Sequence, residues 1–100
     1  MSTLKIKIPT ENLDTFCQRY QVRRLSLFGS VLRDDFRADS DVDVLVQFNP
    51  DARVSFMTLG QMQRELATIF QRPVDLILQD DLKPVIREDV LASAQEVYAT

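Results

Sequence analysis

Apolar residues recur with helical spacing in three stretches of the chain. The first helix is predicted to begin at Pro9-Thr10, with Thr10 as its N-cap. A longer helix is predicted over residues 55–70, and Pro84 stands where a proline commonly opens a helix. The apolar stripes of the first two helices comprise Leu13, Phe16, Cys17 and Tyr20 in one, and Met57, Leu59, Met62, Leu66 and Ile69 or Phe70 in the other. Both stripes are predicted to pack in the core.

Segments rich in aliphatic and β-branched residues lie between the helices and predict strands over residues 22–28, 41–48 and 74–78. In the second strand, Val42, Val44, Val46 and Phe48 share one face, and Asp41, Asp43, Leu45 and Gln47 share the other. Residues 95–98 form a short candidate fourth strand. The pattern predicts a small α/β (α+β) fold in which a mixed sheet of three to four strands has helices mainly on one face. The face with the carboxylates is expected to be partly open.

Size and charge limit what such a chain does. Its 100 residues, 45% of them hydrophobic, fit a single minimal domain over residues 1–100. With 15 acidic and 12 basic residues the net charge is −3, so no direct nucleic-acid partner is expected. The sequence contains no histidine, which excludes mechanisms that use imidazole as a base or a metal ligand.

The chain shows no sign of export or membrane insertion. No apolar stretch approaches the roughly 20 residues that a membrane span needs, and the first residues lack a secretory signal. The single cysteine, Cys17, has no second thiol for an intrachain bridge, which suits a reducing compartment. A cytoplasmic location is expected, with Cys17 in the core.

Two acids in one strand, Asp41 and Asp43, are the first chemical signal. Their side chains project to the same side, about 6–7 Å apart at Cβ. At an effective dielectric of about 20 they repel each other by about 2–3 kcal/mol, a cost that a divalent cation reverses. Asp75 is a third acid in an otherwise aliphatic strand, where an unpaired carboxylate is rare. Together the three acids predict an oxygen cage for Mg²⁺ or Mn²⁺.

A Gly-Ser pair, Gly29-Ser30, precedes Asp41 by ten intervening residues. At a strand-to-helix turn, such a pair offers a phosphate free backbone N–H groups, a hydroxyl and no obstructing side chain. Ordinary structural interpretations stay open for each residue alone: a turn for Gly29-Ser30, a solvated strand end for the two acids, and a salt-bridged structural acid for Asp75. In combination they predict a metal–triphosphate site.

The stretch LFGSVLRDDFRADSDVDVLVQF, followed by VDLIL, resembles the minimal nucleotidyltransferases of the DNA polymerase β superfamily. The family signature is Gly-Ser, ten residues, Asp-x-Asp and a later, separate Asp, and the resemblance covers essentially the whole chain. The sequence departs from it at Asp34, where many members have glycine, and at Ala38, where many have proline. These departures concern the shape of the loop more than the chemistry.

The resemblance implies a role for each motif residue. Gly29 and Ser30 would hold the nucleotide triphosphate, and Asp41 and Asp43 would bind two metal ions. Asp75 would be the third metal ligand and the candidate base. Arg33, where many members carry arginine, would contact phosphate, although pairing with Asp34 or Asp35 explains an exposed helical arginine equally well.

The resemblance also implies a partner. Family members of this size are commonly encoded beside a small helical HEPN protein, and several act as antitoxins by transferring AMP from ATP onto a tyrosine of that toxin. AMPylation of a HEPN toxin is therefore the expected function, with ATP as substrate. One alternative is a catalytically inactive binding module that neutralises its partner by occlusion. Nucleotidyl transfer onto RNA is a third interpretation, which the charge balance disfavours. Homo-oligomers and hetero-oligomers are both compatible with the sequence.

Overall fold

A computed structural model describes residues 8–29 and 41–99. Within these ranges the elements follow the order α1 (Thr10–Arg19), β1 (Val22–Phe28), β2 (Val42–Phe48), α2 (Phe56–Phe70), β3 (Val74–Leu78), a 3₁₀ turn (Gln79–Asp81), α3 (Pro84–Ser93) and β4 (Gln95–Ala99). The helical turn expected directly after Gly29 lies outside the described residues. The candidate strand near the end of the chain is confirmed as β4.

The four strands form one mixed sheet in the order β3-β2-β1-β4. β1 pairs antiparallel with both β2 and β4, whereas β2 and β3 run parallel. A parallel pair needs a long crossover connection, which α2 provides. At the outer edge of β3, the Leu76 N–H donates to Oε1 of Gln63 in α2 at 3.1 Å. The expected mixed sheet with helices is confirmed.

The main core lies between one face of the sheet and the helices α1 and α2. Alternation in β2 directs Val42, Val44 and Val46 into this core, as the sequence pattern predicted. The helices contribute Leu13, Phe16, Cys17, Met62, Leu66 and Phe70, and the other strands contribute Val22, Leu25, Leu27 and Val74. Burial of this apolar surface is the dominant stabilising contribution to the fold.

The ends of α2 follow from local chemistry. Ser55 is the N-cap and its hydroxyl accepts a hydrogen bond from the Thr58 N–H at 3.2 Å. The helix ends at Gln71, whose left-handed backbone (φ 57°) turns the chain. Met57 is 85% exposed and not in the core as predicted, because it precedes the buried Leu66 by about two and a half helical turns and so lies on the opposite side of α2.

α1 begins differently from the prediction. Pro9 occupies the N-cap position and Thr10 is the first helical residue, with no side-chain cap hydrogen bond. The Thr10 hydroxyl instead donates back to the Ile8 carbonyl at 3.4 Å. Threonine is a common capping residue, so the sequence alone predicts it at the N-cap. Pro9, whose ring fixes φ, takes that position instead, and the boundary shifts by one residue.

α3 borders the opposite face of the sheet and buries little. Val90 is half-buried, whereas Val85, Ile86 and Leu91 are exposed. That face is covered in part, because Leu45 of β2 and Leu82 ahead of α3 are buried outside the main core. None of the helices in residues 8–29 and 41–99 is long and apolar enough to cross a membrane.

Candidate active site

Strand pairing places two of the three predicted metal ligands side by side. Asp43 of β2 is in register with Asp75 of β3, and paired residues of neighbouring strands point to the same face. The two backbones are about 4.8 Å apart at this point. Asp43 is half-buried and Asp75 is exposed. This juxtaposition agrees with the prediction from the sequence.

Asp41 lies one residue ahead of β2, so the strand begins at Val42 and not at Asp41 as predicted. The Val42 N–H donates to the Pro73 carbonyl at 2.9 Å, which ties the beginning of β2 to the beginning of β3. Asp41 is exposed at this same end of the sheet. All three acids therefore occupy one end of the β2–β3 pair.

Gly29 packs directly against Asp43. It follows β1, whose last residue, Phe28, is paired with Asp43 across the sheet. Its backbone is in the left-handed region (φ 77°), which favours glycine. A Cβ at this position would collide with Oδ2 of Asp43 and lie 3.2 Å from its Cγ. Glycine is thus required by its backbone conformation and by the neighbouring carboxylate.

This second requirement was missed from the sequence. The sequence pattern predicts a turn at Gly29 that lets a phosphate approach, but the contact with Asp43 depends on the β1–β2 pairing. The spacing signal linked the two motifs without showing that they touch. Ser30 and Arg33, the other predicted nucleotide-binding residues, lie outside the described residues, as do Asp34 and Ala38.

An open groove of about 300 Å³ runs beside Gly29 and Asp43. Phe28 continues the wall formed by these two residues, and α3 supplies the opposite wall. The residues of α3 at the groove are Asp89, Val90 and Ser93. The groove therefore places the predicted phosphate turn and one predicted metal ligand, Asp43, beside a helix that the sequence did not connect with the site.

The three carboxylates are suitable ligands for Mg²⁺ or Mn²⁺, although they do not converge on one point in this structure. In the described part of the chain, no three acidic or cysteine side chains lie close enough together to hold a metal ion. Mg²⁺ is commonly held by one or two carboxylates together with substrate phosphates, so the Asp43–Asp75 pair suits it without a third converging acid. The assignment of Asp41, Asp43 and Asp75 as ligands stays a prediction.

Cys17 has no part in this site. It is fully buried in the core, and burial, with a smaller contribution from the charge of Asp14, raises the pKa of its thiol to about 12. A thiol with such a pKa is protonated at neutral pH and is a poor nucleophile. Its predicted place in the core is confirmed.

The fold and the juxtaposed motifs define an enzyme of the nucleotide-transferring class. Residues 10–97 match the nucleotidyltransferase domain family. The protein adenylyltransferase MntA of Thermococcus cleftensis is 34% identical over 74 residues, which cover 74% of this chain and 73% of the relative. The chain therefore belongs to the nucleotidyltransferase family.

Solved structures show the same fold. A toxin–antitoxin complex with AMP-PNP matches at a TM-score of 0.73 and 17% identity, covering 93% of this chain and 75% of the other. A complex of a tri-AMPylated HEPN toxin of Shewanella oneidensis with its MNT antitoxin matches at a TM-score of 0.60 and 17% identity, covering 91% and 70%. The polymerase-β-type nucleotidyltransferase fold inferred from the sequence motifs is thereby confirmed.

Proposed function

We propose that this protein transfers AMP from ATP to a tyrosine hydroxyl of a HEPN toxin and thereby acts as its antitoxin. The observation that carries the proposal is the contact of Gly29 with Asp43, which is itself in register with Asp75. This arrangement places the predicted phosphate turn beside Asp43, a predicted metal ligand, in one groove, with Asp75 next to Asp43 in the sheet. An adenylyltransferase among its relatives and an AMPylated HEPN toxin among the solved complexes support AMP as the transferred group.

The reaction consists of two bond changes and one proton transfer. The acceptor oxygen forms a bond to the α-phosphorus, the bond to the bridging oxygen of pyrophosphate breaks, and the acceptor proton leaves. Asp75, exposed at the groove end of the sheet, would accept that proton. The turn at Gly29 would hold the phosphates, and Asp41 and Asp43 would hold Mg²⁺ or Mn²⁺ with Asp75. A bound cation would neutralise charge on the phosphates and the departing pyrophosphate.

The first prediction concerns transfer itself. We expect the wild-type protein, incubated with ATP, Mg²⁺ and a HEPN partner, to add the mass of AMP to that partner, as measured by intact-mass spectrometry. The double variant Asp41→Asn/Asp43→Asn should lower the rate at least 100-fold, because it removes the charge that would bind the cation. Asp80→Asn/Asp81→Asn, which removes the same two charges in the 3₁₀ turn, should keep full activity.

The partner's toxicity separates transfer from occlusion. If the double variant still neutralises an unmodified toxin, a steric block explains the antitoxin effect and the transfer proposal is wrong. Added mass that is lost when the acceptor tyrosine is changed to phenylalanine supports transfer to a tyrosine. Added mass that persists after this change places the acceptor elsewhere.

The second prediction concerns the cation. Because no third acid among residues 8–29 and 41–99 converges on Asp43 and Asp75, we expect Mg²⁺ to bind weakly alone and at least about 10-fold more tightly with ATP, whose phosphates would complete the coordination. Isothermal calorimetry with Asp43→Asn and Asp75→Asn should show loss of the ATP-dependent site. Undiminished Mg²⁺–ATP affinity in both variants would mean that these acids are not the ligands.

A further inference from the structure

The α3 wall of the groove presents hydrogen-bond acceptors. The Ser93 hydroxyl donates within its own helix, to the carbonyls of Asp89 at 3.0 Å and Val90 at 3.3 Å. Its single proton is thus engaged, and only oxygen lone pairs remain for a ligand. The neighbouring Asp89, exposed at the same groove, carries a carboxylate that accepts hydrogen bonds when ionised. This wall therefore selects ligand groups that donate.

The two walls consequently suit different parts of a nucleotide. Phosphates are anionic acceptors, so the charge of Asp89 disfavours them on the α3 side and leaves them to the Gly29 turn. The ribose bears two neighbouring hydroxyls, and a carboxylate bears two neighbouring oxygens. Carboxylates that accept hydrogen bonds from ribose hydroxyls are a known means of nucleotide recognition in other folds. An attacking hydroxyl would offer only one donor.

An apolar surface continues along the same face of α3. Val85 and Ile86 precede Asp89 and Val90 by four residues, so they share the face that meets the groove, one turn or about 5.4 Å away. Their side chains are 81% and 45% exposed. In a nucleotide, the base follows the ribose in the direction away from the phosphates. Along α3, the carboxylate of Asp89 is likewise followed by the apolar side chains of Val85 and Ile86.

We propose that α3 is the nucleoside-binding wall of the site, where Asp89 accepts hydrogen bonds from the ribose hydroxyls and Val85 and Ile86 pack against the base. This inference rests on the proposed function, since it assumes that the phosphates bind at Gly29. It has two consequences. The enzyme discriminates strongly between ribonucleotides and deoxyribonucleotides, and it discriminates weakly between bases, because aliphatic side chains read no base edge.

Calorimetric titration with Mg²⁺ and either ATP, 2′-deoxy-ATP or 3′-deoxy-ATP tests the ribose contact. We expect wild-type protein to bind ATP about 10- to 100-fold more tightly than either deoxynucleotide, the usual effect of a lost hydrogen bond to a charged group. Asp89→Ala and Asp89→Asn should bring this ratio close to one. The ratio is the readout because removal of a negative charge near a triphosphate raises affinity by itself. Glu88→Ala, an equal change of charge on the same helix away from the groove, should leave the ratio unchanged.

The affinity for inorganic tripolyphosphate, which has no ribose or base, reports on the phosphate turn alone and so distinguishes it from the base contact. Ile86→Ser should weaken ATP and GTP several-fold and to the same extent, while tripolyphosphate binds as in the wild type. Equal wild-type affinity for ATP and the deoxynucleotides overturns the proposal, as does a ratio that survives both Asp89 variants. So does loss of partner binding in Asp89→Ala with an unchanged ratio, which would assign α3 to the acceptor protein. A wild-type protein that binds no nucleotide at all overturns the proposed function as well.

Discussion

The chain has two glycines, and they play opposite roles. Gly29 has a positive φ, and a Cβ there would strike the Asp43 carboxylate, whereas a Cβ on Gly60 in α2 would be in ordinary contact with Nη1 of Arg64, at 3.7 Å. One glycine is needed for backbone geometry and for the site. The other only lowers the helix propensity of α2.

The third prediction uses this difference. Gly29→Ala should destabilise the protein by about 1–2 kcal/mol or more, because the left-handed backbone is strained and Asp43 must move. It should also weaken Mg²⁺–ATP binding. Gly60→Ala, the matched control, should be neutral or stabilise by up to about 1 kcal/mol. Urea denaturation measures both effects, and equal stability of the two variants would contradict this account of Gly29.

Among single residues, the sequence indicated candidate acids for the site but not the contacts that they make. The acids were identifiable because charged residues in an aliphatic strand need an explanation. The contact between Gly29 and Asp43, and the presence of Asp89 in the same groove, depend on strand pairing and on the path of α3. Neither leaves a mark in local residue patterns.

Among the elements, α2 shows which local signals determine a boundary. Ser55 accepts a hydrogen bond from the helix, and Gln71 ends it in a conformation that glycine adopts without strain. The prediction of residues 55–70 succeeded because cap and apolar stripe agreed. It failed at Met57, because this residue lies on the opposite side of the helix from the buried Leu66 and does not belong to the stripe.

The fourth prediction concerns the two ends of α2. Ser55→Ala should lower the free energy of unfolding by about 1 kcal/mol, through loss of the bond to the Thr58 N–H. Gln71→Gly should raise it by about 1 kcal/mol, because glycine tolerates the left-handed C-cap. Thermal unfolding followed by circular dichroism compares them. A stabilising Ser55→Ala or a destabilising Gln71→Gly would contradict these assignments.

The strand order could not be predicted from local sequence patterns, for a physical reason. Parallel pairing of β2 with β3, and the return of β4 to the far side of β1, join residues far apart in the chain. Such contacts depend on the complementarity of whole faces, while propensity and periodicity are local. The resemblance to a known family supplied the fold that periodicity alone left open.

For the molecule as a whole, folding raises the pKa values of three groups in or beside the core. Burial raises the pKa of Cys17 to about 12 and raises the pKa values of Tyr20 and Tyr98. The Tyr20 hydroxyl also donates to Glu65 at 3.0 Å, which raises its pKa further. In the unfolded chain these groups ionise at their ordinary, lower pKa values. Folded protein therefore holds protons that the unfolded chain releases at alkaline pH.

The fifth prediction follows from linkage. Where the unfolded state binds fewer protons, stability falls as pH rises, so this contribution is complete below about pH 8.5 and is lost progressively as pH rises toward 12. Urea denaturation midpoints should decrease from pH 8 to pH 11. Cys17→Ala should be less stable throughout and show a shallower decrease between pH 9 and pH 10. An identical slope in this variant would mean that Cys17 does not contribute.

The hydrogen bond from Leu76 to Gln63 bears on how molecules meet each other. An outer strand with unoccupied amide groups is a template on which a strand from another molecule adds, and this is a common beginning of aggregation. Here the side-chain carboxamide of Gln63, in the adjacent helix α2, accepts the hydrogen bond from the Leu76 N–H of β3. A second chain must displace Gln63 before it can pair with the Leu76 N–H, so this neutral side chain opposes association of two molecules along β3.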